Sequence, residues 1–203
     1  MTGSPRERVL LNVGCGALNA SAVPPFFEGW QHIRVDVDPA AKPDIVADLT
    51  DLSPIADRST DAIWAAHCIE HLYEHQVGTA LAEFRRVLRD DGFACVIVPD
   101  LQTIARYVAE DKLHEPLYHS AAGSVTPHDI FFGFGPAIAA GRTSMAHRCG
   151  FTPGMLRRCF QQQPFGELLV RRRLADFELA AVARVTPAQN DAERAALMDA
   201  LGL

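Results

Sequence analysis

Chemistry in this sequence is suggested first by what stands at the ends of its apolar runs. Gly14-Cys15-Gly16 follows "LLNV", Asp36 closes "RVD", Asp48-Leu49 follows "PDIVA", and His67 follows "AIWAA". Glycines let a backbone approach a ligand closely, and the start of a following helix presents free N–H groups. A carboxylate about twenty residues beyond such a loop suits a ribose diol, whose hydroxyls it accepts. A side-chain acceptor beside a backbone N–H, as at Asp48-Leu49, can read the amino group and a ring nitrogen of adenine. Each feature also has a plain structural reading: G-x-G is a tight turn, and "DVDP" is a good turn carrying a loop acid. In order, however, four consecutive run ends suit one adenosine-containing ligand.

The glycine loop itself is irregular. A G-x-G-x-x-G pattern needs glycine at Asn19, and G-x-G-x-G needs it at Leu18. Leu18 must therefore tilt away from a ligand or crowd it.

The elements that position these residues follow from the pattern. Arg8 to Val13, His32 to Val37, Pro43 to Leu49, Thr60 to His67 and Phe93 to Pro99 read as strands. Ser21 to Trp30 reads as an irregular or short helical link, limited by Pro24-Pro25. Val77, Ala80, Leu81, Phe84, Val87 and Leu88 recur at helical spacing, and "RDDG" reads as the stop, with Gly92 past the last turn. "LQTIARYVAE" reads as a helix, and Lys112 to Gly135 as a long lid-like loop rich in Gly, Pro, His and aromatics. Helical patterns return over Pro136 to His147 and Pro153 to Gln161. "GELLVRRRL" and "DFELAAVARV" read as a closing hairpin, and Asn190, with Glu193 three residues on, as the cap of a tail helix. Strands separated by helical crossovers imply a doubly wound α/β sheet. The expected organisation is one domain over 1–203: a binding half at 1–100, acceptor-side helices and lid at 101–162, the hairpin at 163–186 and the tail helix at 187–203.

At 203 residues, 48% hydrophobic and 22% charged, the composition is that of a globular protein. A net charge of -6 argues against a nucleic-acid partner. The local basic clusters at Arg85-Arg86, Arg157-Arg158 and Arg171-Arg172-Arg173 read as solvated faces, with an anionic acceptor as the other use. No apolar run suits a membrane span and no secretory leader is evident. The five cysteines include no C-x-x-C pair, so neither a zinc site nor a disulfide framework is expected, and a reducing, cytoplasmic setting is.

From about Val9 to Asp100 the chain resembles the class I S-adenosylmethionine (SAM)-dependent methyltransferases, of the small single-domain type. The resemblance is carried by "LLNVGCG", "VDVDP", "IVADLTDLSPIADRSTDAIWAAHCIEHL" and "ALAEFRRVLRDDGFACVIVPDL", and more loosely by "AHRCGFT". It implies a mostly parallel seven-stranded Rossmann-like sheet with an antiparallel last strand. It implies SAM as cofactor, S-adenosylhomocysteine as product, and methyl transfer to a small-molecule or sugar-like acceptor. By the same resemblance Asn12, Gly14, Cys15 and Gly16 line the methionine end, Asp36 and Val37 the ribose, and Asp48 and Leu49 the adenine. Ala66 and His67 border the methyl. Three positions depart from the pattern: Asn12 stands where many relatives carry an acid, Leu18 replaces the last loop glycine, and "RDDGF" replaces a Lys-Pro-Gly-Gly turn.

Candidate bases are histidines, whose free pKa lies near neutrality. His67 reads as a ligand contact or a structural hydrogen bonder, and His71 as a brace of the helix start. His128 beside Asp129, and His147 beside the Gly-Phe segment, read as oriented bases or as surface histidines. Phe131, Phe132 and Phe134 read as acceptor-pocket walls or lid packing, and Cys15 and Cys68 as packing residues. Two other functions share parts of the pattern. A nicotinamide-dependent oxidoreductase shares the loop and Asp36, and a non-catalytic SAM-binding regulator suits Asn12 and the incomplete loop.

Overall fold

A computed structural model gives the fold and describes residues 6–16, 23–120 and 123–203. The positions at issue in the glycine loop, Leu18 and Asn19, lie outside the described residues. In chain order, Val9–Val13 forms β1, Gln31–Asp36 β2, Ile45–Val46 β3 and Thr60–Ala66 β4. Glu74–Val87 forms α1, Leu88–Pro99 β5, Leu101–Ala109 α2, Tyr118–Ser120 β6 and Gly123–Val125 β7. Pro127–Phe132 forms α3, Gly135–Ala139 α4, Pro153–Gln161 α5, Glu167–Arg173 β8, Glu178–Arg184 β9 and Asp191–Ala200 α6.

Seven strands make one sheet in the order β3-β2-β1-β4-β5-β9-β8. β1 to β5 pair in parallel, whereas β9 runs antiparallel to both β5 and β8. Strand order reverses between β1 and β4, which makes their carboxyl ends the switch point of the sheet.

The apolar runs explain the layers. Successive strand residues face opposite sides. Leu11, Val13, Ile63, Ala65, Ala94, Val96 and Val98 form one side of the core, with Val77, Ala80, Leu81 and Phe84 of α1 and Leu156 and Phe160 of α5. Leu10, Ala62, Trp64, Phe93, Cys95 and Ile97 belong to the opposite core, with Phe27 and Met198 of α6. Strands buried on both faces read as unbroken apolar runs, which is why these strands are legible without alternation.

Several boundaries differ from the sequence reading. The expected third strand contracts to Ile45–Val46. The helix expected to stop at "RDDG" ends at Val87, and Leu88 already pairs with Thr60. Phe93 then pairs with Ala62, so Arg89 to Gly92 form an irregularity in the β4–β5 ladder rather than a helix cap. A Cβ on Gly92 would come within 3.0 Å of the Asp61 carbonyl, so close packing, not a helix end, accounts for this glycine. The expected long loop contains the β6–β7 hairpin and α3. A small core of Ile104, Val125 and Ile130 organises it, closed by Leu117, Phe131 and Phe177. Over Pro136 to His147 the helical pattern resolves into α4 and one 3-10 turn, Thr143–Met145. The tail is capped as expected, with Asn190 Oδ1 accepting from Glu193 N at 2.9 Å.

Asp61 anchors the start of β4. It is 7% exposed and accepts Arg6 Nη1 and Nη2 at 2.8 and 2.5 Å and Val9 N at 2.8 Å. Burial works to raise its pKa, but the Arg6 fork and the Val9 amide outweigh burial and hold the carboxyl below its ordinary range. A pKa depressed on folding contributes stability above the unfolded value and loses it as pH falls through the folded one. Asp61→Asn is therefore expected to cost about 2 kcal/mol at neutral pH. The difference from the parent protein should shrink as pH falls below the ordinary carboxylate range, as read by urea denaturation at pH values on either side of it.

Candidate functional site

The loop after β1 is clamped from one strand. Residues of like parity on a strand share a face, which puts Arg34 and Asp36 of β2 together. Asp36 Oδ2 accepts Gly16 N at 2.8 Å, and an Arg34 Nη donates to Gly16 O at 2.9 Å. The same guanidinium holds Ala41 O at 3.1 Å and Lys42 O at 2.8 Å. Gly14 has φ 62°, and a Cβ there would lie 2.3 Å from Cys68 Cβ. Only glycine lets the β1 loop lie against the β4 loop in this way.

Polar capacity is left over around this ledge. Asp36 uses its second oxygen on Asp38 N at 2.9 Å, which leaves lone pairs on both oxygens. Asn12 is 7% exposed, and its Oδ1 has no hydrogen-bond partner among the described residues. Trp64 Nε1, in the register partner of Asn12, is likewise buried and unpartnered. Cys15 and Cys68 are buried, and burial raises both thiols' pKa, so neither is a thiolate nucleophile.

The remaining strand-end residues are placed as follows. Val37 is exposed just past β2, and Leu49 is buried. Asp48 is exposed and turns its Oδ1 onto Thr50 N and Oγ1 at 2.8 and 2.6 Å. Ala66 closes β4 half-buried. His67 follows with φ 52°, a left-handed turn that points the chain back over the sheet end.

His67 is set between two carboxylates. Its Nε2 lies 2.8 Å from Glu178 Oε1, and its Nδ1 3.5 Å from Glu70 Oε1. Burial works to lower the imidazole pKa, but Glu178 and Glu70 outweigh it and raise the pKa to about 10. Two carboxylates around one ring favour its protonated form. Glu178 is fixed in turn by Arg173, 2.6 Å from its other oxygen.

Glu70 is 1% exposed, and neither carboxylate oxygen has a hydrogen-bond partner among the described residues. Burial works to raise its pKa, yet His67, with the charges of His71 and His147, lowers it, so it stays ionised. The Glu70 carbonyl accepts Arg148 N and Cys149 N at 2.9 and 3.2 Å. A bridge between Asp100 and Phe151 continues that attachment. The "AHRCGF" segment is thereby laid across the ends of β4 and β5. His71 and His147 meet edge to face with centroids 4.9 Å apart.

His128 sits apart from this group, on α3, stacked on His114 at 5.1 Å with the Phe132 ring tilted against it at 5.0 Å. Asp129 does not orient it. That carboxylate accepts Thr126 N, Thr126 Oγ1 and Gly135 N, and so caps α3. Phe131 packs in the small core while Phe132 is 55% exposed. Sequence reasoning passed over Arg34, Glu70 and Glu178. Glu70 carried a signal, a lone acid between apolar Ile69 and His71. Glu178 carried none, since it meets His67 across 111 residues.

Comparison with known proteins adds the following. Residues 11–96 match the family model described as a methyltransferase domain. No curated protein sequence matches the chain. A protein of Pyrococcus horikoshii is similar in structure, with TM-score 0.59 and 14% identity over 88% of this chain and 82% of that one. A SAM-dependent methyltransferase of Methanosarcina mazei gives TM-score 0.58 and 14% identity over 89% and 94%. The 1,6-didemethyltoxoflavin-N1-methyltransferase of Burkholderia thailandensis, solved with 1,6-didemethyltoxoflavin and S-adenosylhomocysteine, gives 0.53 and 19% over 90% and 72%. At these identities the structural likeness is one of fold. Residues 11–96 thus match a methyltransferase-domain model, within a sheet whose strand order is that of the Rossmann-like methyltransferase fold.

Proposed function

We propose that this chain transfers the methyl group of SAM to a small-molecule or sugar-like acceptor, and that the clamped glycine ledge is its cofactor seat. The observation that carries the reading is the ledge itself: Gly14 against Cys68, and Gly16 held by Asp36 and Arg34, at the switch point of the sheet. The residues present fit the cofactor. Asp36 keeps lone pairs for two ribose hydroxyls, and the orphaned Asn12 oxygen is a buried acceptor suited to a cationic ligand. Asp48 and Leu49 flank the adenine, Val37 supplies an apolar contact at the ribose, and Cys15 completes the backbone of the ledge. Ala66 and His67 border the methyl.

When bound, SAM supplies an activated methyl on a sulfonium. Displacement of that group is in line, so positioning provides much of the rate. Arg34 and Asp36 contribute by holding the ledge still. His67 contributes charge and shape rather than proton transfer. On the acceptor side stand His147, its segment fastened to Glu70, and the exposed ring of Phe132. The net charge of -6 favours a small acceptor over nucleic acid. No helix among the described residues is long and apolar enough to cross a membrane, and the five cysteines are free.

Asp36→Ala is expected to weaken SAM and S-adenosylhomocysteine binding by about tenfold or more, since each charge-assisted hydrogen bond is worth ~1.5–3 kcal/mol. Calorimetry reads this, with circular dichroism showing the fold retained; unchanged affinity removes the ribose assignment. Screening hydroxylated and sugar-like compounds for release of S-adenosylhomocysteine tests the acceptor class. With an acceptor in hand, Phe132→Ala should raise its KM by roughly tenfold, an amount in line with the area of an exposed aromatic ring, and leave SAM affinity unchanged. A parallel loss of SAM binding would remove Phe132 from the acceptor side.

A further inference from the structure

We propose that Glu70, His71 and His147 form a binding site for one divalent transition-metal ion of the Zn2+ type. A ring nitrogen from each histidine and a Glu70 oxygen all lie within 4.8 Å of one another. Tetrahedral bonds of about 2.1 Å put donor atoms roughly 3.4 Å apart, so the ligands need to close by on the order of 1 Å. The site lies beside the methyl-transfer seat but is argued from these side chains alone, and it stands whether or not that function holds.

The hydrogen-bond pattern gives the reason. His147 Nδ1 lies 2.8 Å from Ile130 O, and His71 Nδ1 lies 3.2 Å from Ala146 O. A carbonyl only accepts, so each Nδ1 must carry the proton and donate it. With Nδ1 committed to a carbonyl, Nε2 is the nitrogen that each ring can offer to a ligand. Imidazoles that ligate metals are oriented in this way, by donating their other N–H to a backbone carbonyl. Glu70 supplies an ionised, buried carboxylate that no donor among the described residues satisfies. Such a group is costly to bury without hydrogen bonds or a close counter-charge. His67 stands off one of its oxygens at 3.5 Å and leaves the other free.

Two neutral imidazoles and one carboxylate, with further positions open, suit a borderline-soft ion better than Mg2+ or Ca2+, which prefer all-oxygen cages. Cys149 is not a fourth ligand. Its Sγ is turned to the Ile69 and Glu70 carbonyls, and burial pushes the thiol up to about 12.

The test uses the full chain stripped of metal, without SAM, and Zn2+ competed against a chromophoric chelator, with Co2+ absorption as the second probe. One equivalent should bind. His71→Ala and His147→Ala should each weaken binding more than about tenfold. Glu70→Gln should do the same, and circular dichroism separates loss of binding from loss of fold. If Glu70→Gln unfolds the chain, the two histidine variants decide. Replacing the stacked pair, as His114→Ala with His128→Ala, should leave affinity unchanged. Absence of stoichiometric binding at micromolar zinc overturns the proposal, as does binding that survives both His71→Ala and His147→Ala or that is lost with the His114 and His128 pair. Because no SAM is present, failure here leaves the methyl-transfer reading untouched, and failure of SAM binding leaves this one untouched.

Discussion

A single ionised carboxylate, sealed at the carboxyl end of the central strands, organises the functional end of this molecule. Burying the charge of Glu70 is expensive unless positive or polarisable groups gather round it. Two of the groups that do so are its neighbours in the chain, and the third comes from far away in it. His67 belongs to the turn leaving β4, and His71 to the 3-10 turn after it. His147 belongs to the segment laid over the sheet end. The carbonyl of the same residue fixes that segment by accepting two of its amides. One residue thus sets both the electrostatics of the sheet end and the path of the chain that covers it.

The opposite side of the switch point is built on a different principle. There the backbone is held by hydrogen bonds whose donors and acceptors are matched, with Arg34 and Asp36 gripping the two sides of Gly16. These bonds fasten the glycine ledge, and its close contact with Cys68 sets it against the turn leaving β4. The seat proposed for the cofactor is therefore a property of β1, β2 and β4. The proposed acceptor side is assembled later in the chain, from α2, the β6–β7 hairpin, α3 and the segment leading to Phe151. Methyltransferases of one fold can differ in acceptor through changes confined to that second part, because ligand sites are grafted onto a common frame.

What was legible in the sequence follows the same division. β1, β4 and β5 were readable because central strands buried on both faces are continuous apolar runs. The helix stop was misread because "RDDG" has the composition of a cap, whereas Gly92 is needed for close approach to the Asp61 carbonyl. The stretch from Lys112 to Gly135 looked like loop because its core is three residues, too few to print a period. His128 beside Asp129 looked like an oriented base because adjacency in sequence conceals direction; the carboxylate caps α3 instead. Glu178 could not be found at all, since its partner is set by strand order rather than by any local pattern.

That last pairing bears on how the protein is made. β9 inserts between β5 and β8, and it carries the carboxylate that fixes His67. A ribosome releases the chain from its N-terminus, and long-range pairing waits for the later strand. While Glu178 is still within the tunnel, β1 to β5 can form their parallel ladder, but His67 has only Glu70 beside it. The functional end of the sheet is therefore completed by the last of its strands to emerge, and a nascent chain cannot hold this charge arrangement before Glu178 leaves the tunnel.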